Sequence, residues 1–427
     1  MDLFLELERY ALGMRPNASA RAIAYTNLAA YETVVPDMNG FVSNTNLIPG
    51  LNIQRDGGDN GGNGPGGGND DDIDYEIALN ACYADVLEHF LLNVPANAAG
   101  QIADLEEENE ERLSRRQSRQ VVEDSREWGE SVAAQIIAFS QTDTEAEAQI
   151  LDPQPTSYVP PTGAGYWTFS AEPERALFPY WGSVRTFVIS SDETSTVAPP
   201  MPYSTTPGSQ YHQEMEEVYH ANNNAGNGNG EQLWIAEFWS DDVETLMFSP
   251  PARQLSISNQ LIDQYNLSLA EALHLNLKLG FSLNDAAVST WADKYHYMVM
   301  RPSVYIQEHM DPDFQTNLYS LIPWPNPSFP GYPSGHSCFA SAAGGVFIDF
   351  FGNNTDFTDR SHQGRDEFLG APRQFDTFEE MAEENAYSRI PLGVHIRIDC
   401  TEGLRLGYEI SDAVNDYDVT QNPVAGN

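Results

Sequence analysis

Helical periodicity is the feature of this sequence that most constrains its fold. Apolar residues recur at spacings of three and four within 2–31, 75–92, 98–139 and most of 231–300, the pattern of helices that bury one face. Residues 152–208 are instead rich in proline, glycine and aromatic side chains, and we predict a long irregular connection there rather than strands. The sequence therefore predicts an all-α protein with long Pro/Gly-rich loops.

The chain length leaves the number of domains open. The 427 residues could form two ordinary domains or one large helical domain, and we predict a single helical domain over 1–427. Residues 56–74 form an acidic, Gly-rich run that has few side chains to pack, so they are predicted to be a surface insertion. Their acidity suggests a calcium site, but no EF-hand-like ligand spacing is present, and a solvated loop is the simpler interpretation.

The charge of the chain argues against two classes of partner. With 63 acidic against 21 basic residues, the net charge is −42, so nucleic acid and anionic membranes would be repelled. No apolar segment is long enough to cross a bilayer, and we predict no membrane insertion. A homo-oligomer is compatible with this composition, and the acidic surface suits saline surroundings.

Cysteine usage and the first residues bear on the compartment. Cys82, Cys338 and Cys400 fit neither a disulfide framework nor a zinc pattern. Cys338 and Cys400 each follow closely on a motif described below, so we expect them to be neighbours, and buried thiols are favoured over a bridge. The start MDLFLELERY lacks the basic region and apolar core of a signal peptide, so the chain is either not exported or a mature form.

The stretch WADKYHYMVMRP at 291–302 supplies two cations. Lys294 and Arg301 are seven residues apart, so on a continuous helix both would leave the same face, two turns apart. Pro302 disfavours helical dihedrals in the residue before it, so we predict that the helix ends or bends at Arg301. Lys294 is one of only two lysines in the chain, and its compact charge differs chemically from a guanidinium fork.

A second motif, YPSGHSCF at 332–339, predicts a helix N-terminus. Ser334, Gly335 and His336 would lie where unsatisfied N–H groups and the helix dipole attract an oxyanion. Gly335 permits close approach of the backbone, and the Ser334 hydroxyl adds a donor. His336 can move a proton. Alone, the motif is better interpreted as an ordinary helix start with a solvent-facing histidine.

The third motif, SRIPLGVHIRID at 388–399, adds an arginine and a histidine. Arg389 offers a planar fork for two oxygens of a tetrahedral anion. His395 and Asp399 are four residues apart, which predicts that they share one helical face. The His395 ring can act as nucleophile or as a single metal ligand if its other nitrogen is held by an acceptor. Taken alone, this motif is better interpreted as a structural histidine with a surface ion pair.

Together the motifs, all within 291–400, predict a site for one tetrahedral oxyanion. Lys294, Arg301 and Arg389 could balance the charge of a phosphate-like trianion. In a pocket that excludes water, these nearby charges outweigh a distant acidic surface. The two histidines then supply groups that an anion-binding site alone does not need.

The pattern K-x6-RP, then PSGH, then SR-x5-H-x3-D resembles the signature of the type 2 phosphatidic-acid phosphatase and vanadium-dependent haloperoxidase superfamily. The matching positions are Lys294, Arg301, Pro302, Pro333, Ser334, Gly335, His336, Ser388, Arg389, His395 and Asp399. The resemblance runs loosely from Arg15 to Gly407 and implies a helical-bundle core, commonly two four-helix bundles.

Within this superfamily the chain is more similar to haloperoxidases of the bacterial type. It is longer than compact acid phosphatases, Arg397 follows His395 by two residues, and RPNASARAIAYTNLAAYE, PTGAGYW, LFPYWG and EFWSDD also look like haloperoxidase segments. The resemblance implies that His395 ligates vanadium, that His336 assists proton transfer and that Lys294 polarises peroxide. The implied contacts to vanadate oxygens are Lys294, Arg301, Ser334, Gly335 and Arg389.

The resemblance also implies the substrates. These are hydrogen peroxide, a halide and a small organic acceptor, with hypohalous acid as the oxidised product. Iodide or bromide is expected before chloride, because iodide is easiest to oxidise and chloride hardest. Secretion or a periplasmic location is expected by resemblance.

Two further functions use the same residues. In an acid phosphatase, phosphate would occupy the vanadate site, His395 would form a phosphohistidine, and His336 would protonate the leaving alkoxide. A non-catalytic oxyanion-binding protein would need only the cations and the amides. The presence of both histidines argues against this last interpretation.

Three residues are assigned to the surroundings of the site. Asp399 would hold the ligand histidine. Phe329 stands where algal bromoperoxidases carry a second histidine, and at this position the chain resembles fungal chloroperoxidases and bacterial enzymes instead. Simple packing is the alternative role for Phe329. In the family an acid near EFWSDD supports the site's arginines, and Asp241 or Asp242 would be its counterpart, although an exposed pair at a loop edge fits equally.

Overall fold

The fold was described from a computed structural model. The described residues are 1–55, 73–171, 173–195, 198–199, 201–227, 230–241, 243–320, 326–365 and 367–420. All but the last two residues of the insertion predicted over 56–74 lie outside these ranges, so the calcium hypothesis also lies outside them.

Helices make up most of the regular structure. Their bounds are α1 Asp2–Glu8, α2 Asn17–Val34, α3 Tyr75–Phe90, α4 Ala96–Leu113, α5 Arg119–Gln141, α6 Thr144–Leu151, α7 Gln210–Gly226, α8 Gly230–Phe238, α9 Pro250–Tyr265, α10 Leu269–Tyr297, α11 Pro302–His309, α12 Gly335–Phe351, α13 Phe378–Tyr387, α14 Arg389–Leu392 and α15 Arg397–Asp416. Two three-residue strands, β1 Phe357–Asp359 and β2 Arg373–Phe375, pair antiparallel with Thr358 opposite Gln374. The all-α prediction is confirmed.

The Pro/Gly-rich connection is also as predicted. Between α6 and α7, the described residues contain one 3₁₀ turn, Trp181–Ser183, and no α-helix. Large aromatic side chains hold this connection in place, because Trp167, Phe178 and Trp181 are fully buried. Its backbone joins the segment after α10, where Trp167 N–H donates to the Met298 carbonyl at 2.7 Å.

Helix α10 links two groups of packed helices. Helices α2, α3 and α5 pack together, as do α10, α12 and α15, and α10 also lies along α2. The largest cluster of buried apolar side chains extends from Phe4 to Val419 and includes many residues of α10. In the last turn of α10, the Lys294 side chain lies in the interior of the protein.

Glycines on α15 permit its close approach to α12. A Cβ at Gly407 would lie 2.1 Å from Ser341 Oγ and 2.3 Å from the Cys338 carbonyl oxygen. This crossing brings the first turns of both helices together, and Ser334 N–H donates to the Asp399 carbonyl at 2.9 Å. Two of the predicted motifs are thus joined by their backbones.

The cysteines are free thiols. Cys82, Cys338 and Cys400 are all buried and unbridged, as the sequence favoured. Burial raises the pKa of each thiol. Among the described helices, none combines the length and the apolar content that a bilayer crossing requires.

Replacing Gly407 tests the α12–α15 crossing. We expect Gly407→Ala to lower the free energy of unfolding by about 1–3 kcal/mol, because overpacking exceeds the gain in helix propensity. Gly100→Ala is the matched control, since Gly100 lies in exposed α4 with nothing within 4 Å of the added Cβ, and it should be neutral or stabilising. Thermal unfolding of both variants measures the difference, and equal midpoints would contradict the close crossing.

Candidate active site

Lys294 ends in a cradle of carbonyl oxygens. It lies in the last turn of α10 and is fully buried. Its Nζ donates to the carbonyls of Pro330 at 3.0 Å, Gly331 at 3.0 Å and Pro333 at 2.5 Å. Burial, and then the charge of Arg301, lowers the pKa of Lys294 well below its usual value, and an anion beside the ammonium would offset this effect.

Arg301 does not share a helix with Lys294, so the prediction of one common helical face was wrong. Helix α10 ends at Tyr297, Met298 is left-handed with φ +52°, and Arg301 is the extended N-cap of α11. Pro302 accounts for the extended conformation. The turn nevertheless brings both cations to one ring, because Lys294 Nζ lies 5.2 Å and Arg301 Cζ 5.0 Å from the Phe329 centroid.

Phe329 therefore both packs and contacts the cations. Its ring centroid lies 4.8 Å from that of Trp291, and its carbonyl accepts from Arg301 Nε at 2.9 Å. An aromatic face attracts cations at these distances. The residue forms an apolar wall that steadies two charged side chains.

The PSGH motif begins a helix, as predicted. Ser334 is the N-cap of α12, and its hydroxyl accepts from Ser337 N–H. The first N–H groups of a helix have no carbonyl partner within it. A Cβ at Gly335 would meet the Trp291 ring at 3.4 Å and Lys294 Cε at 3.9 Å, so the glycine keeps a space open beside these donors.

His336 and Arg389 hydrogen-bond to backbone carbonyls of the same short segment, Trp239 and Ser240. His336 Nε2 lies 3.0 Å from the Ser240 carbonyl, so this nitrogen carries a proton, since a carbonyl only accepts. Arg389 NH1 donates to the carbonyls of Trp239 at 3.0 Å and Ser240 at 3.3 Å. The α8–α9 connection thus positions a predicted acid–base group and a predicted cation, a role that the residue types there did not indicate.

Asp241 pairs with an arginine that sequence reasoning missed. Its Oδ1 accepts from Arg253 NH2 at 2.9 Å, and Asp359 Oδ2 accepts from Arg253 NH1 at 3.1 Å, all in the interior. Asp241 therefore supports Arg253 on α9, which is not one of the three predicted site cations. The alternative, Asp242, lies outside the described residues.

His395 is held in one tautomer from both sides. Arg301 NH1 lies 3.1 Å from His395 Nε2, and because a guanidinium only donates, Nε2 carries a lone pair. His395 Nδ1 lies 3.0 Å from Asp399 Oδ2, so it carries the proton and donates it. Burial, and then the charges of Arg301 and Lys294, lowers the pKa of His395 well below its ordinary value.

The contact between His395 and Asp399 does not arise from one helical face, so that prediction was wrong. Helix α15 begins at Arg397, and His395 precedes it in the loop after Gly393. Asp399 Oδ2 reaches back over the helix start, where it also accepts from Ile396 N–H at 3.3 Å. Burial raises the pKa of Asp399 to about 7, against the opposing effect of Lys294 and Arg301.

A buried asparagine shapes the loop before His395. Asn222 Nδ2 donates to the Pro391 and Leu392 carbonyls at 3.3 Å each. Gly393 has φ +92°, and a Cβ there would lie 2.7 Å from Asn222 Nδ2. Helix α7 thus holds the turn between Arg389 and His395. The polar sequence NNNAG at 222–226 did not indicate this role.

One cavity of about 310 Å³, part of it open to solvent, collects most of these groups. Its walls include Trp291, Phe329, Gly335, His336, Phe339, Arg389 and His395. Lys294, Arg301 and Ser334 are not among its lining residues, but Lys294 and Arg301 both act electrostatically on His395. The three motifs therefore converge on one water-poor site that can hold an anion, present an imidazole lone pair and move a proton.

The fold and the C-terminal part of the chain are similar to known proteins. Residues 274–425 match the family model described as the VCPO second helical-bundle domain, and no curated protein is matched. The fold is similar to that of a bacterial vanadium-dependent iodoperoxidase, with 24% identity and a TM-score of 0.82 over 99% of this chain and 95% of that one.

Bacterial vanadium-dependent chloroperoxidase is similar in both of its solved forms. The apo form has 15% identity and a TM-score of 0.68 over 94% of each chain. The holo form has the same identity and score over 95% of this chain and 93% of that one. The protein thus has the fold of vanadium-dependent haloperoxidases, and its residues 274–425 are similar to the VCPO second helical-bundle domain.

Proposed function

We propose that the protein is a vanadium-dependent haloperoxidase. It uses hydrogen peroxide to oxidise iodide or bromide to hypohalous acid, which halogenates small organic acceptors. The observation that carries this proposal is the neutral His395 imidazole, whose Nε2 lone pair lies beside buried cations while Asp399 holds its other nitrogen. Similarity to an iodoperoxidase over nearly the full length of both chains supports a haloperoxidase rather than a compact phosphatase.

The residues present fit vanadate. His395 Nε2 would be its ligand, and Lys294, Arg301 and Arg389 would hold its oxygens with the Ser334 hydroxyl and the first N–H groups of α12. Among the described residues no three His, Cys, Asp or Glu side chains cluster as a metal site, and three cations with one imidazole suit an oxyanion better than a bare metal ion. When bound, vanadate would supply Lewis-acid activation of peroxide.

The chain's own groups would handle protons and charge. His336 lines the cavity and donates its Nε2 proton to the Ser240 carbonyl, so Nδ1 is the ring nitrogen that would exchange protons with hydrogen peroxide. The buried cations stabilise negative charge more strongly here than they would in water. Trp291, Phe329 and Phe339 give the cavity an apolar wall.

The lone pair on His395 would also serve a phosphatase, because a neutral imidazole can attack phosphorus. The two chemistries therefore share a nucleophilic or ligating atom and differ in what the cavity receives. Testing both with the same protein separates them.

Replacing His395 tests the proposal. We expect His395→Ala to reduce vanadate-dependent oxidation of iodide by about 100-fold or more, because the ligand atom is lost. Triiodide absorbance with vanadate, peroxide and iodide measures this, and release of nitrophenol from a phosphate monoester is followed in parallel. His89→Ala is the matched control. His89 lies on α3, which contributes no residue to the walls of the cavity that contains His395, so this variant should keep full activity.

The phosphate arm decides between the two chemistries. Halide oxidation that needs vanadate and disappears only in His395→Ala supports the proposal. Phosphate release without any halide oxidation in the wild-type protein would replace it with the phosphatase.

Ionic strength provides an independent test. The net charge of −42 repels a halide anion at low salt, and screening shortens that repulsion to about 10 Å at 0.1 M. We expect kcat/KM for iodide to rise severalfold as sodium nitrate is increased from about 0.01 M to 0.5 M. Hydrogen peroxide is neutral, so its KM is the internal control and should stay constant.

A flat or falling response for iodide would contradict this electrostatic account. It would show that the local cations dominate halide approach over the acidic exterior at all distances.

A further inference from the structure

A second cavity has Asp399 in its wall. It has a volume of about 400 Å³, part of it open to solvent, and none of its lining residues lines the cavity that contains His395. Its walls include Met201, Tyr203, Tyr211, Val299, Tyr332, Ile396, Ile398 and Asp399. Nothing in the oxidation of a halide at His395 uses this space.

Two residues that line this cavity carry buried polar atoms. Asp399 and Tyr211 are 1% and 5% exposed. Asp399 Oδ1 and the Tyr211 hydroxyl have no hydrogen-bond partner among the described residues. Leaving such atoms unsatisfied costs free energy, and in native structures a bound molecule or an ordered water usually satisfies them. Both residues line the same cavity, and Asp399 acts electrostatically on Tyr211, so one hydroxyl group could contact both atoms.

The charges nearby select a neutral molecule. An anion would be repelled by the Asp399 carboxylate. A cation would be repelled by Lys294 and Arg301, which both act electrostatically on that carboxylate. The remaining walls are aromatic or aliphatic and suit a ring.

We propose that this cavity is a binding site for a small neutral aromatic molecule that carries a hydroxyl group, of the phenol class. Its O–H donates to Asp399 Oδ1 and accepts from the Tyr211 hydroxyl, while its ring packs between Tyr203, Tyr332 and Ile396. The same carboxylate holds His395 through Oδ2, so one side chain serves both cavities. The inference does not depend on the proposed halide chemistry.

Binding of phenol and toluene to the full chain tests this site. Both probes are titrated by ligand-observed NMR without vanadate or peroxide. Phenol should bind the wild-type protein more tightly than toluene, which has the ring but not the hydroxyl. In Tyr211→Phe, phenol should bind about five- to tenfold more weakly, because one hydrogen bond is lost, and toluene should bind as before.

Tyr219→Phe is the control for the loss of a tyrosine hydroxyl on the same helix. Tyr219 lies on α7 but does not line this cavity, and its hydroxyl donates to Asp311 Oδ2 at 3.1 Å, so its removal should leave phenol affinity within about twofold. Failure of phenol to bind would mean that the cavity holds solvent only and would overturn the proposal. Equal affinity of phenol and toluene, or of wild type and Tyr211→Phe for phenol, would overturn it as well.

Discussion

The site depends on the opposed hydrogen bonds that fix the His395 imidazole. Arg301 can only donate and the Asp399 carboxylate accepts, so the ring is neutral, with its lone pair at Nε2. Both partners are buried, so the arrangement is shielded from water and strong in electrostatic terms. Whether the lone pair meets vanadium or phosphorus, the chemistry requires this tautomer.

The rest of the fold positions Arg301 and Asp399, the two residues that hold His395. Arg301 is placed by the turn after α10, and Asp399 by the first turn of α15. The glycines of α15 let it approach α12, so the N-terminus that carries Ser334 lies against Asp399. Three buried cations are tolerated because backbone carbonyls surround them, as with Lys294. These carbonyls satisfy several of the donors without adding a buried negative charge.

The second cavity draws attention to the two oxygens of the Asp399 carboxylate, which have different hydrogen-bond partners. Oδ2 of Asp399 accepts hydrogen bonds from His395 and Ile396, whereas Oδ1 has no hydrogen-bond partner among the described residues. The sequence motifs explain only the role of Oδ2, which holds His395. The Tyr211 hydroxyl, almost 190 residues earlier in the chain, is the group that gives the second oxygen a functional interpretation.

Local sequence determined much of this protein. Periodicity predicted the helices, Pro302 predicted the extended Arg301, and the Ser334–Gly335 pair predicted a helix start, because each depends on residues within one or two turns. The motif residues were identifiable because their spacing matches a superfamily signature. Tertiary structure alone decided the pairing of Asp241 with Arg253, the carbonyls of Trp239 and Ser240, and the role of Asn222. These contacts join segments far apart in the chain, and backbone carbonyls are present at every residue, so no local pattern marks the few that a fold brings to one site.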